Sequence, residues 1–181
     1  DYLFVSDPAG ITNLLREGIP RKKMFYVGNI MIDTLKSQIS KIKSQKYKSK
    51  KIKQLNPKEK KYIVLTLHRP SNVDDKKTLK NLFQTFALIQ NKIKIIYPVH
   101  PRTLQKIKQF NLQKYIEVLK NFILFPPLSY LEMLKLITNS KLVITDSGGI
   151  QEESTVLNIP CLTLRSTTER PITVKIGTNT I

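Results

Sequence analysis

The chain is poor in cysteine and has no long apolar run. Its 181 residues include one cysteine, Cys161, so no disulfide can form within the chain. A reduced compartment, the cytoplasm, is therefore the simplest expectation. Charge or proline interrupts every apolar stretch within about ten residues, whereas a helix needs about 20 to cross a bilayer. The opening DYLFVSDPAG lacks the basic and apolar regions of an export signal, so we expect neither membrane insertion nor export.

Arginine is also scarce, although the net charge is +18. Over half of that charge lies in residues 36–61, which carry eleven lysines and one acid. This stretch has one aromatic residue, Tyr47, and neither arginine nor glycine. It therefore lacks the guanidinium groups and stacking rings that nucleic-acid-binding proteins use. We expect a solvated lysine-rich helix and linker and no nucleic-acid partner; a polyanion site is the alternative.

The apolar pattern predicts an α/β fold. Short β-branched runs alternate with amphipathic stretches of helical length, which is typical of a parallel sheet covered by helices on both faces. The chain can bury one ordinary domain core with some additional pieces. The predicted strands are 2–5, 25–27, 63–67, 93–99, 122–125, 142–145 and 161–164, and the predicted helices are 10–18, 76–90, 128–138 and 150–157.

Polar side chains follow several of these strands at the point where each strand ends. Ligands bind at the carboxyl ends of the strands in an open parallel sheet. Both histidines, His68 and His100, lie there, which favours a shared site over two separate structural roles. The strand at 122–125 ends instead in Pro126-Pro127-Leu128, an apolar rim suited to a flat ring.

The segment LVITDSGGIQEES, residues 142–154, predicts an anion site. A strand, then Ser-Gly-Gly, then a helix places free backbone N–H groups at a helix N-terminus, and the glycines let a ligand approach the main chain. A tight turn with a serine N-cap is the alternative. Glu152 and Glu153 lie about 100° apart on this helix, so only one can face the pocket. A carboxylate there would reach past a phosphate to a neutral diol, such as a ribose.

Arg170 precedes Pro171, where a second helix is predicted to begin because proline is favoured at the first helical position. A cation beside a helix N-terminus is unfavourable unless an anion is bound. Arg170 or His100 could therefore neutralise a phosphate. A salt bridge from Arg170 to Glu169 or to another acid is the alternative.

Four blocks of the sequence closely resemble the non-hydrolysing UDP-N-acetylglucosamine 2-epimerases, in that family's order and spacing. They are TLHRPSNVD at 66–74, PVHP at 98–101, TDSGGIQEE at 145–153, and TTERP at 167–171 with GTN at 177–179. The resemblance implies a Rossmann-like parallel sheet that forms the C-terminal half of a glycosyltransferase-B-like two-domain fold. Residues 1–35 would be the end of the first domain and the crossover, 36–61 a lysine-rich linker or helix, and 62–181 a UDP-binding domain without its closing helices.

The resemblance also implies roles for individual residues. His68 corresponds to the family's catalytic-site histidine, and His100 lines the cleft. The implied UDP contacts are Ser147, Gly148 and Gly149 to the diphosphate, Glu153 to the ribose, Arg170 to a phosphate, and Leu128 and Met133 beside the uracil. The family's acidic catalytic residues belong to its first domain, so we expect the chain alone to bind weakly and to turn over nothing. Ser71 stands where many relatives have glutamate, in a motif that helps form a regulatory substrate site.

The implied reaction eliminates UDP to leave a glycal and adds it back with inversion at C2, which interconverts UDP-GlcNAc and UDP-ManNAc for surface polysaccharide synthesis. No cofactor is expected, since the chain has no Gly-x-Gly-x-x-Gly motif, and no metal, since it has no cysteine–histidine cluster. The implied partners are a UDP-sugar and a second copy in a homodimer. A 2-epimerase of a related UDP-sugar, such as a diacetamido uronic acid, and a glycosyltransferase of the same architecture are the alternatives.

Overall fold

The computed structural model describes residues 1–43, 49–55 and 60–181. Within these residues the chain forms eight strands, ten α-helices and a 3-10 turn at Arg21–Lys23. The strands are β1 (Leu3–Val5), β2 (Met24–Tyr26), β3 (Tyr62–Thr66), β4 (Lys94–Pro98), β5 (Phe122–Phe125), β6 (Leu142–Thr145), β7 (Cys161–Thr163) and β8 (Asn179–Thr180). The helices are α1 (Pro8–Arg16), α2 (Ile30–Lys43), α3 (Lys50–Leu55), α4 (Pro70–Val73), α5 (Lys76–Ile89), α6 (Pro101–Gln109), α7 (Gln113–Glu117), α8 (Tyr130–Thr138), α9 (Gly148–Val156) and α10 (Pro171–Lys175).

Six strands form one parallel sheet in the order β5-β4-β3-β6-β7-β8. The chain moves outward from β3 to β5 on one side and from β6 to β8 on the other. The strand order therefore reverses between β3 and β6, which is where open α/β sheets bind their ligands. Thr66 lies opposite Thr145 in the register of these two strands, so the segments that follow them emerge side by side.

Helices cover both faces of this sheet. Alternate residues of β3 point to opposite faces: Ile63 belongs to an aromatic-rich core with Phe83 and Phe122, and Val64 belongs to a second core with Leu136. The expected parallel sheet with two covered faces is confirmed. In the described part of the chain, no helix is long and apolar enough to span a membrane.

The first two strands form a separate two-stranded parallel sheet, β1-β2. Gly18, with a φ of +80°, follows the end of α1, and Gly28, with a φ of +74°, makes the turn between β2 and α2. Helix α2 then packs through Leu35 against Leu134 of α8, and so joins this small sheet to the larger unit. The lysine-rich stretch 36–61 is described only at 36–43, 49–55 and 60–61; Tyr47 lies outside the described residues.

The predicted strands agree with the observed ones to within two residues, but several helix boundaries were wrong. The helix expected at 128–138 begins at Tyr130 because Ser129 and Glu132 form a capping box. The helix expected at 150–157 begins two residues earlier, at Gly148. Strand β8 and helices α4, α6 and α7 were not predicted. Strand β8 and helices α4 and α7 have five residues or fewer and carry too little periodicity to be recognised, whereas α6 has nine residues and its amphipathic pattern was missed.

Candidate active site

A cavity of about 210 Å³ opens beside the carboxyl ends of β3, β4 and β6, near the reversal of strand order. Five of the predicted site residues line it: His68, His100, Leu128, Met133 and Ser147. The two histidine rings lie with their centroids 5.4 Å apart. Both histidines therefore border one cavity; that they act in one functional site stays a prediction. The proline-rich segment after β5 forms part of the apolar wall.

His68 is held by a buried carboxylate. Its Nδ1 atom lies 3.0 Å from Asp146 Oδ1, and the Asp146 side chain is fully buried. Asp146 also accepts hydrogen bonds from the backbone N–H groups of His68 and Arg69 and from Asn72 Nδ2. An ionised carboxylate only accepts hydrogen bonds, so Nδ1 carries a proton and Nε2 is the ring nitrogen left for a ligand.

The charge of Asp146 is stabilised by these contacts. Burial alone would raise the pKa of Asp146, but the hydrogen bonds from His68, Arg69 and Asn72 outweigh it and hold the pKa below its ordinary value. The carboxylate therefore remains ionised at neutral pH. It can orient the His68 ring and stabilise a positive charge on it, as the carboxylate of a serine-protease triad does for its histidine.

His100 has the opposite arrangement of ring nitrogens. It caps helix α6, and its Nδ1 atom accepts a hydrogen bond of 3.2 Å from the Arg102 backbone N–H. In a neutral imidazole the other nitrogen, Nε2, then carries the proton. His100 can therefore donate a hydrogen bond to a ligand, while His68 presents an unprotonated Nε2 when it is neutral.

The N-terminus of helix α9 lies where the sequence predicts an anion cradle. Ser147 occupies the N-cap position, but its side chain makes no capping hydrogen bond with any described residue. The first N–H groups of the helix therefore have no acceptor within the helix. A methyl group added to Gly149 would meet no described atom within 4 Å. The main chain is open to a ligand at Gly149.

Gly148 is not open in the same way. A methyl group there would lie 2.6 Å from Oε1 of Glu169. The Glu169 carboxylate forms ion pairs with Arg69, at 3.3 Å, and with Arg165. The expectation that both glycines let a ligand approach the main chain thus holds for Gly149, whereas a carboxylate of the chain itself already covers Gly148.

Arg170 caps the short helix α10, beside the helix N-terminus that the proline predicted. Its Nε atom lies 3.4 Å from Glu152 Oε1, so its acidic partner is Glu152 and not Glu169. The contact lacks hydrogen-bond geometry, and this buried Nε has no hydrogen-bond partner among the described residues. Arg170 lines a different cavity, of about 550 Å³, together with Asn29 and Glu152. The guanidinium therefore retains donor capacity.

Glu152 and Glu153 point to different partners, as their spacing predicted. Glu152 accepts a hydrogen bond of 2.9 Å from Asn29 Nδ2 in addition to its ion pair with Arg170. Glu153 faces Tyr130 of helix α8. Burial raises the pKa of the Glu153 carboxyl, a hydrogen bond with Tyr130 opposes this, and the charge of Glu152 raises it further; the net shift is upward. Neither glutamate lines the cavity of the histidines.

The sequence reasoning assigned no role to three residues that the structure brings into the site. Asp146 lies in the TDSGGIQEE block but was given no role there; it follows β6, which lies beside β3 in the sheet, and this adjacency brings it to His68. Nothing in the local sequence pattern indicated roles for Asn72 and Tyr130. The partner of Asn72, Asp146, lies 74 residues away, and the partner of Tyr130, Glu153, lies on another helix. Within residues 1–43, 49–55 and 60–181, no group of three or more His, Cys, Asp or Glu side chains is placed to hold a metal ion.

The chain was compared with known proteins. The family model described as UDP-N-acetylglucosamine 2-epimerase matches residues 1–181. A UDP-N-acetylglucosamine 2-epimerase of Methanocaldococcus jannaschii is 42% identical over 180 residues, which are 98% of this chain and 49% of that protein. A crystal structure of the M. jannaschii enzyme in complex with UDP-GlcNAc and UDP matches with a TM-score of 0.87 and 40% identity, over 98% of this chain and 49% of that one.

A Pseudomonas aeruginosa UDP-2,3-diacetamido-2,3-dideoxy-D-glucuronate 2-epimerase is 33% identical over 184 residues, which are 100% of this chain and 48% of that protein. The chain thus spans about half the length of the relatives that it matches, and it corresponds to their C-terminal half. The Rossmann-like parallel sheet and the glycosyltransferase-B-like architecture implied by the sequence are confirmed. Because the family model covers all 181 residues, the chain belongs to the UDP-N-acetylglucosamine 2-epimerase family.

Proposed function

We propose that this chain forms the nucleotide-binding half of an enzyme that interconverts UDP-GlcNAc and UDP-ManNAc by eliminating UDP and adding it back. One observation carries the proposal: Ser147, which opens helix α9, and the carboxylate-held His68 border the same apolar-walled cavity. An anion cradle and a proton-transfer group thus lie together. The support from relatives is the M. jannaschii enzyme, whose crystal structure is described as a complex with UDP-GlcNAc and UDP.

The diphosphate is assigned to the N-terminus of α9. Ser147, Gly148 and Gly149 would contact it through backbone N–H groups and the serine hydroxyl, with the helix dipole favouring the negative charge. Arg170 would donate to a phosphate oxygen, and its unpartnered Nε supports that role. Glu169 lies against Gly148, so a phosphate at that glycine would displace the carboxylate.

The uracil is assigned to the far side of the same cavity, and the ribose to the space beside Glu153 on helix α9, outside that cavity's lining. Leu128 and Met133 would border the uracil, because they belong to its apolar wall. Glu153 would accept hydrogen bonds from the ribose hydroxyls. Its ordinary partner in the chain is one phenol, Tyr130, which leaves a carboxylate with further acceptor capacity. His100 would donate a hydrogen bond through Nε2 to the part of the substrate in the cleft.

The reaction is redox-neutral and conserves all atoms. A base takes the C2 proton, the electron pair of the C2–H bond forms the C1–C2 double bond, and UDP leaves with the electrons of the C1–O bond. Re-addition of UDP with protonation of C2 from the opposite face gives the epimer. The α9 N-terminus and Arg170 stabilise the leaving diphosphate, and we assign to His68 a proton transfer during these steps.

The wider setting belongs to the same proposal. Residues 1–35 would end a first Rossmann-like domain, 36–61 would link the domains, and 62–181 would bind UDP. The whole protein would act as a homodimer in the cytoplasm, with neither nucleic acid nor membrane as a partner, and would make a precursor of surface polysaccharide. The buried free thiol of Cys161 is compatible with a reducing compartment.

A UDP-linked diacetamido uronic acid is the alternative substrate. The P. aeruginosa relative acts, by its name, on a diacetamido uronic acid sugar, and it is 33% identical over the whole chain. A 2-epimerase of that substrate would use the same diphosphate and uridine contacts, so the residues described here favour neither sugar. Product analysis of the complete gene product with each UDP-sugar separates the two.

The first test is a calorimetric titration of the chain with UDP, with ADP as the control. Selective UDP binding supports the nucleotide half of the site. Equal affinity for ADP, or no UDP binding by the folded complete gene product, would contradict it. Incubation of the complete gene product with UDP-GlcNAc should then yield UDP-ManNAc, whereas transfer of the sugar to an acceptor would indicate a glycosyltransferase.

A further inference from the structure

We infer that Gln151, Thr168 and Asn179 are positioning residues for Arg170. With Thr173 they form a largely buried hydrogen-bonded circuit that holds the Arg170 backbone at a set position relative to helix α9. The inference rests on the proposed function, in which Arg170 stabilises the leaving diphosphate at the α9 N-terminus. It also gives a role to the GTN segment at 177–179.

The circuit closes on both sides of Arg170. The Arg170 N–H donates to Thr168 Oγ1 at 2.9 Å, and the Thr168 hydroxyl donates to Gln151 Oε1 at 2.6 Å. On the other side, the Thr173 hydroxyl donates to the Arg170 carbonyl at 2.7 Å. Asn179 Nδ2 joins the two halves, since it donates to Gln151 Oε1 at 3.2 Å and to Thr173 Oγ1 at 3.1 Å.

The donors and acceptors of this circuit are consistent with one another. Each threonine hydroxyl donates once and accepts once, and the Asn179 amide uses both of its N–H groups. Its Oδ1 atom is occupied as well, because it accepts a hydrogen bond of 2.7 Å from the Thr163 hydroxyl at the end of β7. Gln151 Nε2 is the exception, because it is buried and has no hydrogen-bond partner among the described residues. The other donors and acceptors are matched, which favours this arrangement over one that leaves them without partners.

Three residues of the circuit are shielded from water, whereas Thr168 is only partly buried. Gln151 is 0% exposed, Thr173 is 1% exposed and Asn179 is 5% exposed. Breaking a hydrogen bond there cannot be compensated by solvent as it would be on the surface. The Arg170 backbone is therefore held by two partly buried hydrogen bonds that are anchored on the buried bonds of Asn179, although the Arg170 side chain is one-third exposed.

The circuit links helix α9 to Arg170, which bind the same diphosphate in the proposed function. Gln151 is the fourth residue of helix α9, whose first residues form the proposed diphosphate cradle, and Arg170 caps helix α10. Without the circuit, the exposed loop between β7 and α10 would be free to carry Arg170 away from the cradle. With it, the guanidinium and the α9 N–H groups form one preorganised anion site, which lowers the entropic cost of binding.

The test uses a matched pair in the complete gene product. Thr168→Val replaces the hydroxyl with a methyl group and cuts the circuit, and Thr168→Ser keeps the hydroxyl. Each variant is titrated with UDP and with uridine, in the wild-type background and with Arg170→Ala. We expect Thr168→Val to weaken UDP binding about tenfold, Thr168→Ser to stay within about twofold, and uridine binding to be unchanged in both.

The Arg170→Ala background identifies a role that is exerted through Arg170. Thr168→Val should have no further effect on UDP affinity there; an equal loss in both backgrounds would refute the positioning role, as would unchanged UDP affinity in Thr168→Val alone. Thr173→Val cuts the other side of the circuit and carries the same test if Thr168→Val does not fold. If the wild-type protein itself does not bind UDP, the proposed function fails and this inference fails with it.

Discussion

Replacing Glu153 tests the assignment of the ribose most directly. Glu153 is buried on helix α9, and its interaction partner in the chain is the Tyr130 hydroxyl. Glu153→Ala removes the carboxylate without adding bulk to the site. In the proposed complex this deletes the acceptor of the ribose hydroxyls and leaves the diphosphate and uracil contacts in place.

The expected loss follows from the type of bond. A hydrogen bond to a charged group contributes about 1.5–3 kcal/mol, which corresponds to a roughly 10- to 150-fold weaker UDP affinity. Only the ionised carboxylate accepts from both hydroxyls, and burial raises the Glu153 pKa in the free chain. UDP affinity should therefore fall as the pH is lowered through this raised pKa. In Glu153→Gln that part of the pH dependence should disappear.

The assay is calorimetric titration with UDP and with 2′-deoxy-UDP over a range of pH. The phosphates titrate in the same way for each protein, so the difference between wild type and Glu153→Gln isolates the carboxyl. The wild type should prefer UDP over the deoxy ligand, and Glu153→Ala should lose that preference. Unchanged UDP affinity in Glu153→Ala, or a preserved preference, would refute the ribose contact.

Glu153→Gln, which should weaken UDP binding, should stabilise the fold at neutral pH in an unfolding experiment. A carboxyl whose folded-state pKa is raised contributes stability that is fully present below its unfolded-state pKa and is lost as the pH rises through the folded-state pKa. Glu153→Gln stays neutral and avoids this loss. Its Tm should exceed that of the wild type at neutral pH, and the difference should shrink in acid; a lower Tm at neutral pH would contradict the argument.

Four further variants test the remaining parts of the site in the complete gene product. His68→Ala should lower kcat by about 10²–10⁴-fold with little change in UDP affinity, and equal losses in both would assign it to binding. Asp146→Asn should lower kcat and change its pH profile, because the charge opposite His68 Nδ1 is lost; an unchanged profile would remove Asp146 from the reaction. Gly149→Ala should raise the Tm, since alanine favours a helix over glycine by about 0.5–1 kcal/mol, and should weaken UDP binding. Gly148→Ala should leave the Tm close to the wild-type value, because its methyl group meets only the end of the exposed Glu169 side chain, which can move aside; a markedly lower Tm would show that this carboxylate is held in place.

The sheet and the location of the site could be predicted from the sequence because both depend on local pattern. The buried β-branched runs of β3, β4 and β6 are continuous, so a parallel sheet follows, and residues at the ends of parallel strands share an edge. His68 and His100 were placed together on that basis. The start of α9 at Ser147-Gly148-Gly149 was likewise recognisable from residue types alone.

The partners of the charged residues could not be predicted in the same way. Asp146 meets His68 across 78 positions of sequence, and only the adjacency of β3 and β6 brings them together. Arg170 pairs with Glu152 rather than with its neighbour Glu169. Both glutamates were plausible, since sequence distance says nothing about the direction in which a loop leaves a sheet. Long-range side-chain pairing depends on strand order, which the local pattern does not contain.

The arginines around the α9 N-terminus are already paired before a ligand binds. Arg69 and Arg165 share Glu169, and Arg170 lies beside Glu152. Glu169 and Arg69 are each about 40% exposed, so their pair is weak and a diphosphate can replace the carboxylate at little cost. Meanwhile the pairs hold flexible side chains over the cradle, which reduces the conformational entropy lost on binding. In the proposed reaction these prearranged arginines would act in two steps. They would stabilise the UDP anion as the C1–O bond breaks, and they would keep UDP bound until it adds back to the glycal.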